Sequence, residues 1–94
     1  MLLIGIDQSP KEHTVCIIDV TGCQLARFSI PHAAAGFQQL HTYCQTLQVP
    51  PGECLVALES GHCLLMDFLL DHGYQVYVVP GKAVDHYRDR TLTG

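Results

Sequence analysis

Apolar and polar positions alternate with a spacing that changes along the chain, and each change marks an element. Residues 2–7 are almost continuously apolar and close on Asp7, which predicts a central strand covered on both faces. Residues 13–20 are rich in β-branched types and predict a second strand; Thr21-Gly22 supplies the turn after it. From Gln24 to Ile30 the pattern alternates, with Ala26, Phe28 and Ile30 on one side and Arg27 and Ser29 on the other. Pro31 ends that third strand, and the short connections make the three an antiparallel meander.

Helical spacing takes over from Ala33, with Phe37, Leu40, Cys44 and Leu47 on one stripe up to Pro50-Pro51-Gly52. No Ser, Thr, Asp or Asn precedes this helix, so its N-cap is weak. Residues 55–59 form a fourth strand ending in Glu59. A second helix is expected from about His62, with Leu64, Leu65, Phe68 and Leu69 inward and Asp67 and Asp71 outward. Gly73 is placed to cap its C-terminus. Residues 75–79 are a fifth strand, Pro80-Gly81 a break, and residues 82–90 a final helix.

The order β-β-β-α-β-α-β-α, with helical crossovers into the last two strands, makes those strands parallel to the first. The economical sheet order is 3-2-1-4-5. Strands one and four are then neighbours, and Asp7 and Glu59 lie side by side, roughly 5 Å apart across the ladder. An acid at the end of a buried strand is costly to desolvate unless a cation, a donor or a proton compensates it. Two such acids together suggest a shared divalent metal; the plainer alternative is two hydrogen-bonded acids at strand termini.

The composition narrows the class. At 94 residues and 48% hydrophobic, the chain forms one domain over residues 1–94 with a single core. No apolar run reaches the roughly 18 residues that span a bilayer, and the N-terminus lacks a signal peptide's basic flank. No membrane association is expected. Five cysteines, odd in number and without C-x-x-C spacing, fit reduced thiols in a cytoplasmic protein. The net charge of −4 argues against nucleic-acid binding as a bulk property. The charge distribution is more permissive, because Lys82, Arg88 and Arg90 cluster near the end of the sequence. Ser9 and Lys11, in the loop after Asp7, are within reach of a phosphate there, although ordinary turn residues have the same composition. His62 is read as a surface or capping histidine, and Asp19 as the partner of the Thr-Gly turn that follows it.

Four stretches carry a resemblance: Ile4-Gly5-Ile6-Asp7-Gln8-Ser9, Val56-Ala57-Leu58-Glu59, Gly73-Tyr74-Gln75-Val76-Tyr77, and Lys82-Ala83-Val84-Asp85-His86-Tyr87-Arg88-Asp89-Arg90 ahead of Gly94. In this order the chain resembles the N-terminal RuvC-like domain of DEDD-type insertion-sequence transposases, the insertion-sequence 110 class. The resemblance implies a ribonuclease-H-like α/β fold, a mixed five-stranded sheet of order 3-2-1-4-5 with flanking helices. It implies Mg²⁺, or Mn²⁺, held by four acids, of which Asp7 matches the first and Glu59 the second. Ser9, Lys11, Lys82, Arg88 and Arg90 are the candidate nucleic-acid contacts. The last two acids of the family follow a glycine matching Gly94, so the resemblance implies a longer protein that cuts and transfers DNA strands. That protein would carry a serine-bearing C-terminal domain and use a guide RNA, and a homo-oligomer is left open.

Two departures stand out: Pro80 falls one place earlier than the family's proline, and His86 stands where arginine is frequent. Two rival classes remain at this stage. One is a non-catalytic nucleic-acid-binding or assembly module on the same fold. The other is a fragment of a sugar-kinase or actin-like ATPase, disfavoured because Asp7-Gln8-Ser9-Pro10 has no glycine to wrap a phosphate.

Overall fold

Three strands, a helix, a strand, a helix and a last strand follow one another in the computed structural model, which describes residues 1–59 and 63–79. They are β1 (Leu2–Gln8), β2 (Glu12–Asp19), β3 (Gln24–Pro31), α1 (Ala34–Thr46), β4 (Cys54–Leu58), α2 (Leu64–Asp71) and β5 (Gln75–Val78). A single 3₁₀ turn, Pro51–Glu53, leads into β4 and was not expected from the sequence. The helix expected over 82–90 lies outside the described residues.

The five strands form one sheet of order β3-β2-β1-β4-β5. β1 runs antiparallel to β2 and parallel to β4, β2 antiparallel to β3, and β4 parallel to β5. The meander and the two crossovers therefore fall where the pattern of apolar residues places them. Asp19 binds the turn after β2 by accepting from Thr21 N–H, Thr21 Oγ–H and Cys23 N–H at 2.9, 2.6 and 3.0 Å. These bonds, the Thr21 hydroxyl foremost, hold its carboxyl below the ordinary value. Gly73, at φ +90°, ends α2 in the left-handed conformation that glycine adopts without strain.

One layer of helix covers the sheet among the described residues. Leu2, Ile4 and Ile6 of β1, Val15 and Ile17 of β2, Ile30 of β3, and Val56 and Leu58 of β4 are buried under Phe37, Leu40 and Cys44 of α1 and Leu65 and Leu69 of α2. Both crossovers step across the sheet in the same direction, and a right-handed connection then puts both helices on the same face. The two-sided burial expected for β1 is thus corrected: Leu3, on the opposite face, keeps 37% of its surface exposed. The inward assignment of Leu64 is corrected as well. It is 66% exposed, because the stripe centres on Leu65 and Leu69 and Leu64 is turned away from it.

Candidate metal centre

The ladder between β1 and β4 fixes the site. It runs from Leu2 opposite Cys54 to Ile6 opposite Leu58, and Asp7 and Glu59 are the next residues on their strands. Continued one residue past the ladder, this register would set the two acids side by side, roughly one strand spacing of 4.8 Å apart. Alternation along β1 carries Asp7 onto the face opposite the helices with Leu3 and Gly5, and Glu59 directly follows β4, whose Leu55 and Ala57 lie on that face. Both acids are half-buried. Gly5 leaves open space on that face beside the acids, since a Cβ built there meets nothing within 4 Å.

Neighbouring groups stiffen the two strand ends. Gln8 Nε2 donates to Cys63 Sγ at 3.3 Å, and Cys63 caps α2 by accepting from Met66 N–H at 3.4 Å. Through Cys63 the end of β1 is tied to the start of the helix that follows Glu59. A cysteine in an apolar stretch reads as a small hydrophobe, and its capping role was not visible in the sequence.

The other candidates divide. Ser9 lies in the loop after β1, where its hydroxyl donates to the Glu12 carbonyl, and Glu12 N–H returns a bond to Ser9 Oγ at 3.4 Å. Its hydroxyl therefore also serves the turn. Lys11 is exposed, and its carbonyl accepts from His32 N–H at 3.0 Å. Ser9, Lys11, Glu12, Ser29 and Pro31 are among the residues that line an open groove of about 670 Å³. Lys82, Arg88, Arg90 and His62 lie outside the described residues.

Two groups of histidines went unread in the sequence. His13 is 2% exposed, with its Nε2 2.8 Å from His32 Nδ1 and its Nδ1 without a partner among the described residues. Burial first, and the charge of His32 second, lower its pKa. At the opposite end of the sheet His41 Nδ1 lies 2.7 Å from the buried Tyr74 hydroxyl, and His41 packs beside His72. Burial, then the charge of His72, lowers the His41 pKa. Burial raises the Cys44 thiol, pushes the Cys54 thiol up to about 11 and lifts the Tyr74 phenol above its usual range. These groups are neutral packing elements near pH 7.

Chemically, the paired carboxylates offer hard oxygen donors on rigid strands, which suit Mg²⁺ or Mn²⁺ rather than a soft metal. Among the described residues no cluster of three or more His, Cys, Asp or Glu is placed to hold an ion. The two acids therefore fit part of a coordination shell and not a complete one.

Comparison with known proteins agrees with this architecture. The family model of DEDD transposases of the insertion-sequence 110 class, described as "Transposase", matches residues 4–94. A mini-circle putative transposase for IS117 from Streptomyces coelicolor is 33% identical over 92 residues, covering 92% of this chain and 21% of that protein. The putative transposase y4uE of Sinorhizobium fredii is 26% identical over 93 residues, covering 96% of this chain and 26% of the relative. The chain thus spans between a fifth and about a quarter of the length of these relatives. Among solved structures, the LC11 ribonuclease H1 isolated from compost superposes with a TM-score of 0.51 at 14% identity, covering 98% of both chains. With a ribonuclease-H-like fold and a family match over nearly its whole length, the chain belongs to the DEDD transposases of the insertion-sequence 110 class.

Proposed function

We propose that this chain is the acid-bearing N-terminal domain of a DNA transposase, in which Asp7 and Glu59 hold Mg²⁺ or Mn²⁺ for strand cleavage and transfer. The observation that supports it is the parallel register ending at Ile6 and Leu58, one residue short of each acid. When bound, such an ion polarises a phosphate oxygen and eases deprotonation of the attacking group. Asp7, on the central strand, and Glu59, just after β4, would hold such an ion, Glu59 directly or through water. The β1–β4 ladder, paired up to Ile6 and Leu58, supports this reading because it anchors the backbone just before each acid. The remaining ligands would be water and the family's last two acids, which follow the glycine that Gly94 matches. DNA is the partner, with a guide RNA joining in the longer protein and the cytoplasm as the compartment. Of the described helices none is long and apolar enough to cross a membrane.

Two acids bind Mg²⁺ weakly, because its shell needs further charge. The 94-residue chain is therefore expected to lack robust nuclease activity. A clear Mg²⁺-dependent cleavage rate from the purified chain, absent in Asp7→Asn, would contradict this. The incomplete acid set also favours a second reading, in which this chain by itself is a DNA-binding or assembly module without catalysis. Calorimetric titration of Mn²⁺ into wild type, Asp7→Asn and Glu59→Gln separates the two. The metal site requires weaker binding in both variants, and identical isotherms in all three leave only the module.

A further inference from the structure

The face that carries Asp7 also carries a row of polar side chains leading away from it. Thr14 of β2 pairs directly with Asp7, and Ser29 of β3 pairs directly with Thr14. The three are level on adjacent strands, and the row from Asp7 to Ser29 is about 10 Å long at two ladder spacings. Val15 is buried and Ile30 faces the core, so alternation turns Thr14 and Ser29 to the open side. Arg27, one step along β3 on the same side, is exposed. Ser29 is also where this row meets the groove holding Ser9 and Lys11.

From this arrangement we infer that Arg27, Ser29 and Thr14, continued by Lys11 in the groove, form a track for the sugar–phosphate backbone of a DNA strand approaching Asp7. The inference rests on the proposed metal role of Asp7 and Glu59 and adds the surface that delivers the substrate. Three features of the surface select this ligand. Among the described residues the lysine and arginine side chains are Lys11 and Arg27, and both fall beside this row in a chain of net charge −4. Hydroxyls and a guanidinium are the donors that phosphate oxygens accept from, the arginine in two-pronged fashion. A row of hydroxyls beside two carboxylates binds a polyanion with least repulsion if the phosphates sit over Thr14 and Ser29 and only the reacting one reaches the acids. Glu12 also lines the groove and opposes a phosphate beside it, which leaves the Ser29 side as the more favourable path. Such contacts carry no base information, so the track holds any sequence equally well.

The test is fluorescence anisotropy of labelled single-stranded DNA of several unrelated sequences, titrated with the purified chain at a series of salt concentrations. The proteins are wild type, Arg27→Gln, Ser29→Ala, Thr14→Val, and Thr42→Val on the exposed side of α1 as a control. Wild type is expected to bind weakly and without sequence preference. Arg27→Gln should weaken binding several-fold and reduce the log–log salt slope by about 0.7, the increment for one phosphate contact on a single strand. Ser29→Ala and Thr14→Val should weaken binding at unchanged slope, and Thr42→Val should match wild type. Arg27 and Ser29 are exposed, so their variants carry the test even if Thr14→Val unfolds.

The same proteins are titrated with Mn²⁺ to separate the two ideas. Track variants that retain metal binding while losing DNA affinity support the inference. Normal metal binding with DNA affinity equal to wild type in all of them overturns the track and leaves the metal site standing. Weaker DNA binding in the track variants than in wild type, with no Mn²⁺ binding by any of the proteins, supports the track and removes the metal role. A wild type that fails to bind DNA even at low salt overturns the track.

Discussion

Single residues decide where this small domain is vulnerable. His13 is held neutral in the core, so the folded state resists a proton that the unfolded chain accepts near the ordinary value of 6.5. The sign follows from linkage: stability is complete above that pH and falls as the pH drops through it, because the unfolded state then binds more protons. His41 acts in the same direction at the other end of the sheet. Thermal melts from pH 8 to pH 5 should show a falling Tm, with a shallower fall in His13→Phe, which removes the buried ring nitrogens while keeping the packing on Phe37. An unchanged slope in that variant would exonerate His13. Gly36 is the second such residue: a Cβ there would sit 2.1 Å from the Pro31 carbonyl oxygen, where α1 crosses the end of β3. Backbone atoms cannot step aside, so Gly36→Ala should cost about 1–3 kcal/mol, read from urea unfolding.

Among the elements, α1 shows how far local sequence carries. Phe37, Leu40 and Cys44 repeat at helical spacing and are buried, and the absence of a capping side chain at Ala33 is as expected. Ala33→Ser should therefore stabilise the protein by about 1 kcal/mol, seen as a raised urea midpoint at unchanged slope. The start of α2 was less legible. An apolar Leu64 looks like core, but the helix begins at Leu64 with Cys63 as its cap, not at about His62, and its buried residues are Leu65 and Leu69. Sequence reports which residues are apolar; the phase of a short helix depends on where its cap falls. The strand boundaries differ from the expected ones by a single residue, so Glu59 follows β4 instead of ending it.

At the scale of the whole molecule, the strand order and the pairing of β1 with β4 were readable, because a meander followed by two helical crossovers leaves few right-handed arrangements. The register that ends the β1–β4 pairing at Ile6 and Leu58, just before the two acids, came with that order. That the described helices share one face of the sheet was not readable. An unbroken apolar run from Leu2 to Ile6 implies burial on both sides, and nothing local records that both crossovers cover the same one. The polar row of Thr14 and Ser29 was hidden differently. Alternation in β3 marked Ser29 as outward, but only the register between β2 and β3 puts it in line with Asp7.

The account as a whole depends on a cation shared between two neighbouring strand ends, and paramagnetic relaxation by Mn²⁺ in the isotope-labelled protein tests it most directly. Amide signals should broaden around Asp7 and Glu59 and across the row to Thr14, and the effect should vanish in Asp7→Asn. Broadening centred on the exposed acids of α2, Asp67 and Asp71, or a pattern unchanged by Asp7→Asn and Glu59→Gln, would contradict it.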